Sequence, residues 1–137
     1  MFPNTTKILV VDDMLTMRKL VIRCLRELGF ANITEADDGE TAWPQLETAA
    51  KGGLPFQLVI SDWNMPKLPG IELLKKVRGS DATKGVPFIF ITAEAEMGQV
   101  MDAIKSGASS YITKPFTPAT LKEKLVAVHA AHAAKKA

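Results

Sequence analysis

The stretch Leu58-Val59-Ile60-Ser61-Asp62-Trp63-Asn64-Met65-Pro66 begins as an apolar run and ends abruptly in a carboxylate. Its apolar part has the pattern of a strand buried on both faces of a parallel sheet. Pro66 lacks a backbone N–H and fixes its own φ, so the strand cannot pass through it. Asp62 is thereby left at a buried strand end, where a carboxylate needs a partner. The pattern recurs along the chain. Lys7-Ile8-Leu9-Val10-Val11 runs into Asp12-Asp13, Pro87-Phe88-Ile89-Phe90-Ile91 into Thr92, and Ser110-Tyr111-Ile112 into Thr113-Lys114. If the strands are parallel, these ends share one edge of the sheet, the edge at which open α/β sheets bind ligands. Carboxylates about 4 Å apart repel by roughly 4 kcal/mol at an effective dielectric near 20. A hard divalent cation offsets that repulsion. A site with few protein ligands and room for water and phosphate suits Mg²⁺. Lys114 adds a second positive charge and Thr92 a hydroxyl donor. Such a site is built to receive a small dianion beside a carboxylate nucleophile, and the chemistry it implies is phosphoryl transfer to Asp62. Each residue alone is an ordinary polar loop residue; their recurrence at strand ends carries the reading.

The elements that must position these residues follow from hydrophobic period. Met17, Leu20, Val21, Cys24, Leu25 and Leu28 keep helical spacing, with Thr16 as the expected N-cap and Gly29 as the stop. Ile33-Thr34-Glu35-Ala36 is a short strand. A second helix runs through Ala42, Trp43 and Leu46 to Gly52-Gly53. Pro44 lies inside it, which predicts a late start with Thr41 as N-cap, or a kink, because an interior proline costs about 3 kcal/mol. Leu68-Pro69-Gly70-Ile71 suits a type II turn, followed by a short helix marked by Ile71, Leu74 and Val77. Met97, Val100, Met101 and Ile104 mark a fourth helix closed by Gly107. Thr117 caps a fifth, with Pro118 at its first position and Leu121, Leu125 and Val128 as its buried stripe. Strands and helices alternate five times in the sequence. That predicts an α/β fold, a doubly wound parallel sheet with helices on both faces.

The chain of 137 residues fits one domain, 1–137. Apolar residues at 47% and charged residues at 23% are the balance of a soluble globular protein. A net charge of +2 is too mild for a nucleic-acid binder. The single cysteine, Cys24, excludes an internal disulfide and fits a cytoplasmic location. No apolar run reaches membrane-spanning length, and Met1 to Thr6 carries no secretion signal. Cys24 belongs to the core by its position on the helix stripe, and His129 with His132 makes a poor metal site without a further ligand.

At these residues the chain resembles the bacterial response-regulator receiver domains, and among them the stand-alone chemotaxis regulators. The resemblance runs from about Lys7 to Leu125. It rests on Val10-Val11-Asp12-Asp13, Ser61-Asp62-Trp63-Asn64-Met65-Pro66, Thr92-Ala93-Glu94-Ala95, Gly107-Ala108-Ser109 and Lys114-Pro115-Phe116-Thr117. It implies a flavodoxin-like five-stranded sheet of order 2-1-3-4-5 with five helices. It implies that Asp62 accepts a phosphoryl group from a sensor histidine kinase (CheA-like). One Mg²⁺ would be held by Asp12, Asp13, Asp62 and the backbone carbonyl of Asn64. Lys114 would pair with the phosphoryl group, its peptide bond to Pro115 would be cis, and Thr92 would hydrogen-bond the phosphoryl oxygen. Tyr111 would swing inward as Thr92 moves, and Asn64 and Glu94 would tune dephosphorylation. Ala95, Tyr111 and Lys124 would mark the face for a flagellar motor switch protein (FliM-like), with a phosphatase as a further partner. The protein is expected to be a monomeric phosphoacceptor switch and not an enzyme, apart from Mg²⁺-dependent self-phosphorylation from small donors and self-dephosphorylation. No output domain is expected after the last helix, and neither nucleic acid nor a membrane among its partners.

Met14 and Leu15 depart from the family pattern after the paired aspartates, Pro69 replaces the usual Asp before Gly70, and Lys122 replaces an acidic residue. Rival chemistries fit less well. A haloacid-dehalogenase-type hydrolase needs an acid two residues after its nucleophile, and Asn64 is not one. A flavodoxin-like nucleotide binder needs a first loop that attracts phosphate, and Asp12-Asp13 repels it. The remaining alternative keeps the chemistry and changes the output: a phosphorelay intermediate or phosphate sink that passes phosphoryl groups to a histidine phosphotransfer protein.

Overall fold

Short apolar strands and amphipathic helices alternate along the whole chain in the computed structural model, which describes residues 1–92, 97–114 and 116–136. The order is β1 (Ile8–Val11), α1 (Leu15–Glu27), β2 (Ile33–Ala36), α2 (Gly39–Lys51), β3 (Leu58–Ser61), α3 (Gly70–Arg78), β4 (Phe88–Thr92), α4 (Met97–Lys105), β5 (Ser110–Thr113) and α5 (Pro118–Lys136). The five strands form one parallel sheet in the order β2-β1-β3-β4-β5, the order the resemblance implied. Val11 stands level with Ser61 across the β1–β3 ladder, and Thr92 with Thr113 across β4–β5. The strand ends that carry the polar residues are therefore in line.

The continuous apolar runs are explained by burial on both faces. Ile8, Val10, Leu58, Ile60, Ile89 and Ile91 pack with Val21 and Leu25 of α1 and with Leu121 and Leu125 of α5. Leu9, Val11, Val59, Phe88 and Phe90 point the other way and pack with Leu46 of α2 and with Leu73, Leu74 and Val77 of α3. Cys24 is part of the first cluster, as expected, and burial pushes its thiol pKa up. Among the described side chains of α4 the buried one is Ala103, whereas Met101 and Ile104, which marked the helix in the sequence, are 47% and 61% exposed. No helix among the described residues is long and apolar enough to cross a membrane.

Three local expectations are overturned. The first helix starts two residues early, with Met14 and not Thr16 at its N-cap position. The cause is Asp12, whose Oδ1 accepts the Met14 N–H at 2.9 Å and sets the entry to the helix. The second helix does not start late. Asp38 caps it in a reciprocal box with Thr41, and the helix runs unbroken through Pro44. The Thr41 N–H donates to Asp38 Oδ1 at 2.8 Å and the Asp38 N–H to Thr41 Oγ1 at 3.3 Å. Glu40 and Pro44 are both exposed, so water can serve the carbonyl that proline leaves without a donor. Finally, Gly70 does not occupy a type II turn, because its φ is not positive; Lys67 takes the left-handed conformation in this loop, at φ 66. Gly70 opens α3 after Pro69. The predicted end of α1 holds, with Gly29 at φ 102. So does the start of α5, where Thr117 Oγ1 accepts the Thr120 N–H at 3.1 Å.

Candidate functional site

Asp12, Asp13 and Asp62 meet at the carboxyl ends of β1 and β3. One carboxylate oxygen from each lies within 4.8 Å of the others. Asp12 and Asp62 are buried and Asp13 is exposed, so the cluster has a dry floor and one open side. The ladder itself continues into the site. The Asp12 N–H donates to the Ala36 carbonyl at 3.1 Å, and the Asp62 N–H to the Val11 carbonyl at 2.9 Å. Both backbones are thus fixed by the sheet before any side chain is considered.

Each carboxylate is then oriented locally. Asp62 Oδ1 accepts the Trp63 N–H at 2.8 Å. The Gly70 N–H donates to the Trp63 carbonyl at 3.0 Å, which ties the loop to the start of α3. A Cβ on Gly70 would lie 2.2 Å from the Asp62 carbonyl oxygen and 2.8 Å from a ring carbon of Phe90. Only glycine lets α3 approach Asp62 so closely. From β5, Lys114 brings its ammonium to 3.5 Å from Asp12 Oδ2 and 3.7 Å from Asp62 Oδ1. Its own N–H donates to the Thr92 carbonyl at 2.8 Å, so the ends of β4 and β5 enter the site together. Thr92 is fully buried at that end.

Three carboxylates against one ammonium leave an excess of negative charge. Burial pushes the Asp62 carboxyl up from 3.8 to about 6; Lys114 opposes the rise, Asp12 adds to it, the Trp63 N–H opposes it and Asp13 adds to it. A pocket that holds its central carboxyl back from ionising is short of positive charge. The donors are all hard oxygens and the open side leaves room for water, so the residues present fit a small divalent cation such as Mg²⁺. With such an ion bound, Asp62 would be an anion beside an ammonium, which is the arrangement a carboxylate nucleophile toward phosphorus needs.

The remaining predicted residues fall as follows. Asn64 stands exposed in the loop after Trp63. Tyr111 is half-buried on β5, with its ring 6.2 Å from Trp63 and 6.3 Å from Phe90. Phe90 and Tyr111 are ladder partners, and Thr92 lies two residues beyond Phe90, so Thr92 and Tyr111 share one face of the sheet. Lys124 is half-buried on α5. Glu94, Ala95 and Pro115 lie outside the described residues. His129 is engaged elsewhere, with its ring 4.9 Å from Phe2. Sequence reasoning missed Gly70, whose Pro-Gly context signalled a turn, and Arg18, which carries no local signal. Arg18 reaches from α1 to the Asp12 carbonyl.

The response regulator receiver domain model matches residues 8–126. Chemotaxis protein CheY-3 of Vibrio cholerae is 53% identical over 119 residues, covering 87% of this chain and 88% of that one. Chemotaxis protein CheY of Pseudomonas aeruginosa is 45% identical over 119 residues, covering 87% and 92%. Among solved structures, the chemotaxis protein CheY4 of Vibrio cholerae superposes with a TM-score of 0.79 at 34% identity, covering 90% of this chain and 98% of that one. A CheX–CheY complex from Borrelia burgdorferi with beryllofluoride and Mg²⁺ gives a TM-score of 0.82 at 28% identity, covering 90% and 89%.

Proposed function

The chain belongs to the response regulator receiver domain family, and from that premise we propose that it is the phosphorylation-controlled regulator of a chemotaxis pathway, with Asp62 as its phosphoacceptor. Members of this family are phosphoacceptor signalling proteins and not enzymes in the ordinary sense. The observation that carries the proposal is the convergence of Asp12, Asp13 and Asp62 within 4.8 Å of one another, with the Lys114 ammonium beside them. Identity of 45% and 53% with chemotaxis proteins supports the pathway.

In this reading the Asp62 carboxylate attacks the phosphorus of a phosphohistidine on a sensor kinase. The new P–O bond forms as the P–N bond breaks, and the electron pair leaves with the imidazole. Asp12, Asp13 and Asp62, with the Asn64 carbonyl, would hold one Mg²⁺, which neutralises charge on the transferring group. Lys114 pairs with a phosphoryl oxygen as the new acyl phosphate forms. Thr92 donates its hydroxyl to another, and Tyr111, on the same face of the sheet, takes up the space that Thr92 vacates. Glu94 and Asn64 control access of the hydrolytic water. The changed surface spans α4, β5 and α5, including Ala95, Tyr111 and Lys124, and meets a flagellar motor switch protein. The relative in complex with CheX supports a further protein partner of the activated form. The protein acts in the cytoplasm.

The test is a titration of a flagellar switch peptide against the protein with and without beryllofluoride and Mg²⁺. Binding should tighten at least tenfold on activation. No binding by the activated protein, together with phosphoryl back-transfer to a histidine phosphotransfer domain, would replace the chemotaxis output with a phosphorelay.

A further inference from the structure

Arg18 lies on α1, outside the acidic pocket, yet its side chain is only 14% exposed and makes two directional bonds. Its Nε donates to Glu35 Oε1 at 2.8 Å. One terminal nitrogen donates to the backbone carbonyl of Asp12, also at 2.8 Å. Glu35 is on the edge strand β2, level with Val10 in the ladder. Its other oxygen is held by Lys19 at 2.8 Å, and the bonds from Lys19 and Arg18 hold its carboxyl pKa below the usual range. The guanidinium is therefore anchored at one end to the sheet, and its other end grips the peptide that joins Asp12 to Asp13. The same turn is held a second time by the Met14 N–H on Asp12 Oδ1. The Asp12–Asp13 peptide plane decides where the exposed Asp13 carboxylate is aimed. Asp12 is also fixed by the sheet and by Lys114, whereas the Asp13 carboxylate is exposed.

We propose that Arg18 is a positioning residue for cation binding: anchored by Glu35, it holds the Asp12 carbonyl so that Asp13 faces the cation. This rests on the reading of the pocket as a Mg²⁺-dependent phosphoacceptor site. The proposal has a sign that separates it from plain electrostatics. Arg18 is a positive charge near a divalent cation, so by Coulomb's law alone its removal should tighten Mg²⁺ binding. Loss of a positioning contact should weaken it, by about tenfold where such contacts to metal ligands have been removed.

The measurement is a Mg²⁺ titration read by Trp63 fluorescence in a Trp43→Phe background. Arg18→Ala should raise the Mg²⁺ Kd by about tenfold. Arg18→Lys should stay weakened, because an ammonium keeps the charge but lacks the fork that reaches both oxygens. Arg23→Ala removes an exposed positive charge from the same helix without touching Glu35 or the Asp12 carbonyl, and should leave the Kd unchanged or slightly lower. Acetyl phosphate labelling supplies a second readout. Arg18→Ala should need more Mg²⁺ for half-maximal rate but reach the wild-type rate at saturation, whereas general damage to the fold would lower the rate at all concentrations. If Arg18→Ala folds poorly, Glu35→Gln, which loosens the anchor and keeps the arginine, carries the test with a smaller rise in the same direction. Unchanged or tighter binding in Arg18→Ala, or full rescue by lysine, overturns the proposal and leaves the phosphoacceptor reading intact. Absence of any Mg²⁺ response in the wild type overturns both.

Discussion

Replacing Asp62 by Asn should stabilise the metal-free protein at neutral pH and leave it unchanged in acid. In the fold the Asp62 carboxyl pKa rises from 3.8 to about 6, chiefly through burial. Between those values the folded protein keeps a proton that the unfolded chain has lost. The contribution of neutral Asp62 to stability is complete below 3.8 and is lost as pH rises through about 6. The loss amounts to about 3 kcal/mol above that range. Asn is neutral at every pH, keeps the shape, and retains an oxygen for the Trp63 N–H. Its advantage over wild type should therefore be near zero at pH 4 and about 3 kcal/mol at pH 7.5, or roughly 9 °C in Tm for a domain of this size. The assay is paired thermal or urea unfolding of wild type and Asp62→Asn in chelator, from pH 4 to pH 8. Acidic groups away from the pocket are the same in both proteins, so the difference reports on the pocket that holds Asp62. Millimolar Mg²⁺ should raise the wild-type Tm and close much of the gap, since the ion binds the folded state alone. A gap that stays constant with pH would refute the reasoning.

Three further outcomes follow from local geometry. Gly70→Ala places a methyl 2.2 Å from the Asp62 carbonyl oxygen; it should cost at least about 2 kcal/mol in urea unfolding and slow labelling by acetyl phosphate, and a loss below about 1 kcal/mol would contradict the close approach. Pro44→Ala restores the missing hydrogen bond inside α2 and should stabilise by about 1–3 kcal/mol, read as a raised Tm; no gain would mean that the helix carries no deficit there. Thr92→Ala should leave labelling of Asp62 largely intact but abolish the tightening of switch-peptide binding on activation, whereas Lys124→Ala should weaken that binding without touching the chemistry; equal tightening in wild type and Thr92→Ala would sink the coupling.

Strand ends are legible in a sequence like this one because β1, β3 and β4 are short, buried throughout and stopped by a polar residue. Asp12, Asp13, Asp62, Thr92 and Lys114 could all be placed on one edge from that pattern alone, and the ladder registers put them there. Helix starts were less legible. Thr16 has the right side chain for a cap, but the Asp12 carboxylate, whose role belongs to the site, reaches the Met14 N–H first. Pro44 argued against an early start, yet the Asp38–Thr41 box outweighs it at an exposed position. Gly70 and Arg18 were invisible for a common reason. Their significance lies in a backbone atom brought near by tertiary packing, and no local pattern announces it. The outward turn of Met101 and Ile104 was hidden likewise, since helical period gives a face but not what that face meets.

The contact between Gly70 and Asp62 has a mechanical consequence. Asp62 is clamped between β1, which takes its N–H, and the first turn of α3, which leaves no space behind its carbonyl. This half of the pocket behaves as an anvil. When a bulky dianion arrives on Asp62, the displacement it demands cannot be shared evenly around the site. It must be taken up on the opposite side, where Thr92 and Lys114 approach from the ends of β4 and β5. A symmetrical pocket would spread such a push in every direction and deliver little anywhere. With one wall closed, a phosphoryl group on Asp62, as proposed above, would direct its push one way along the sheet, toward the strand that carries Tyr111.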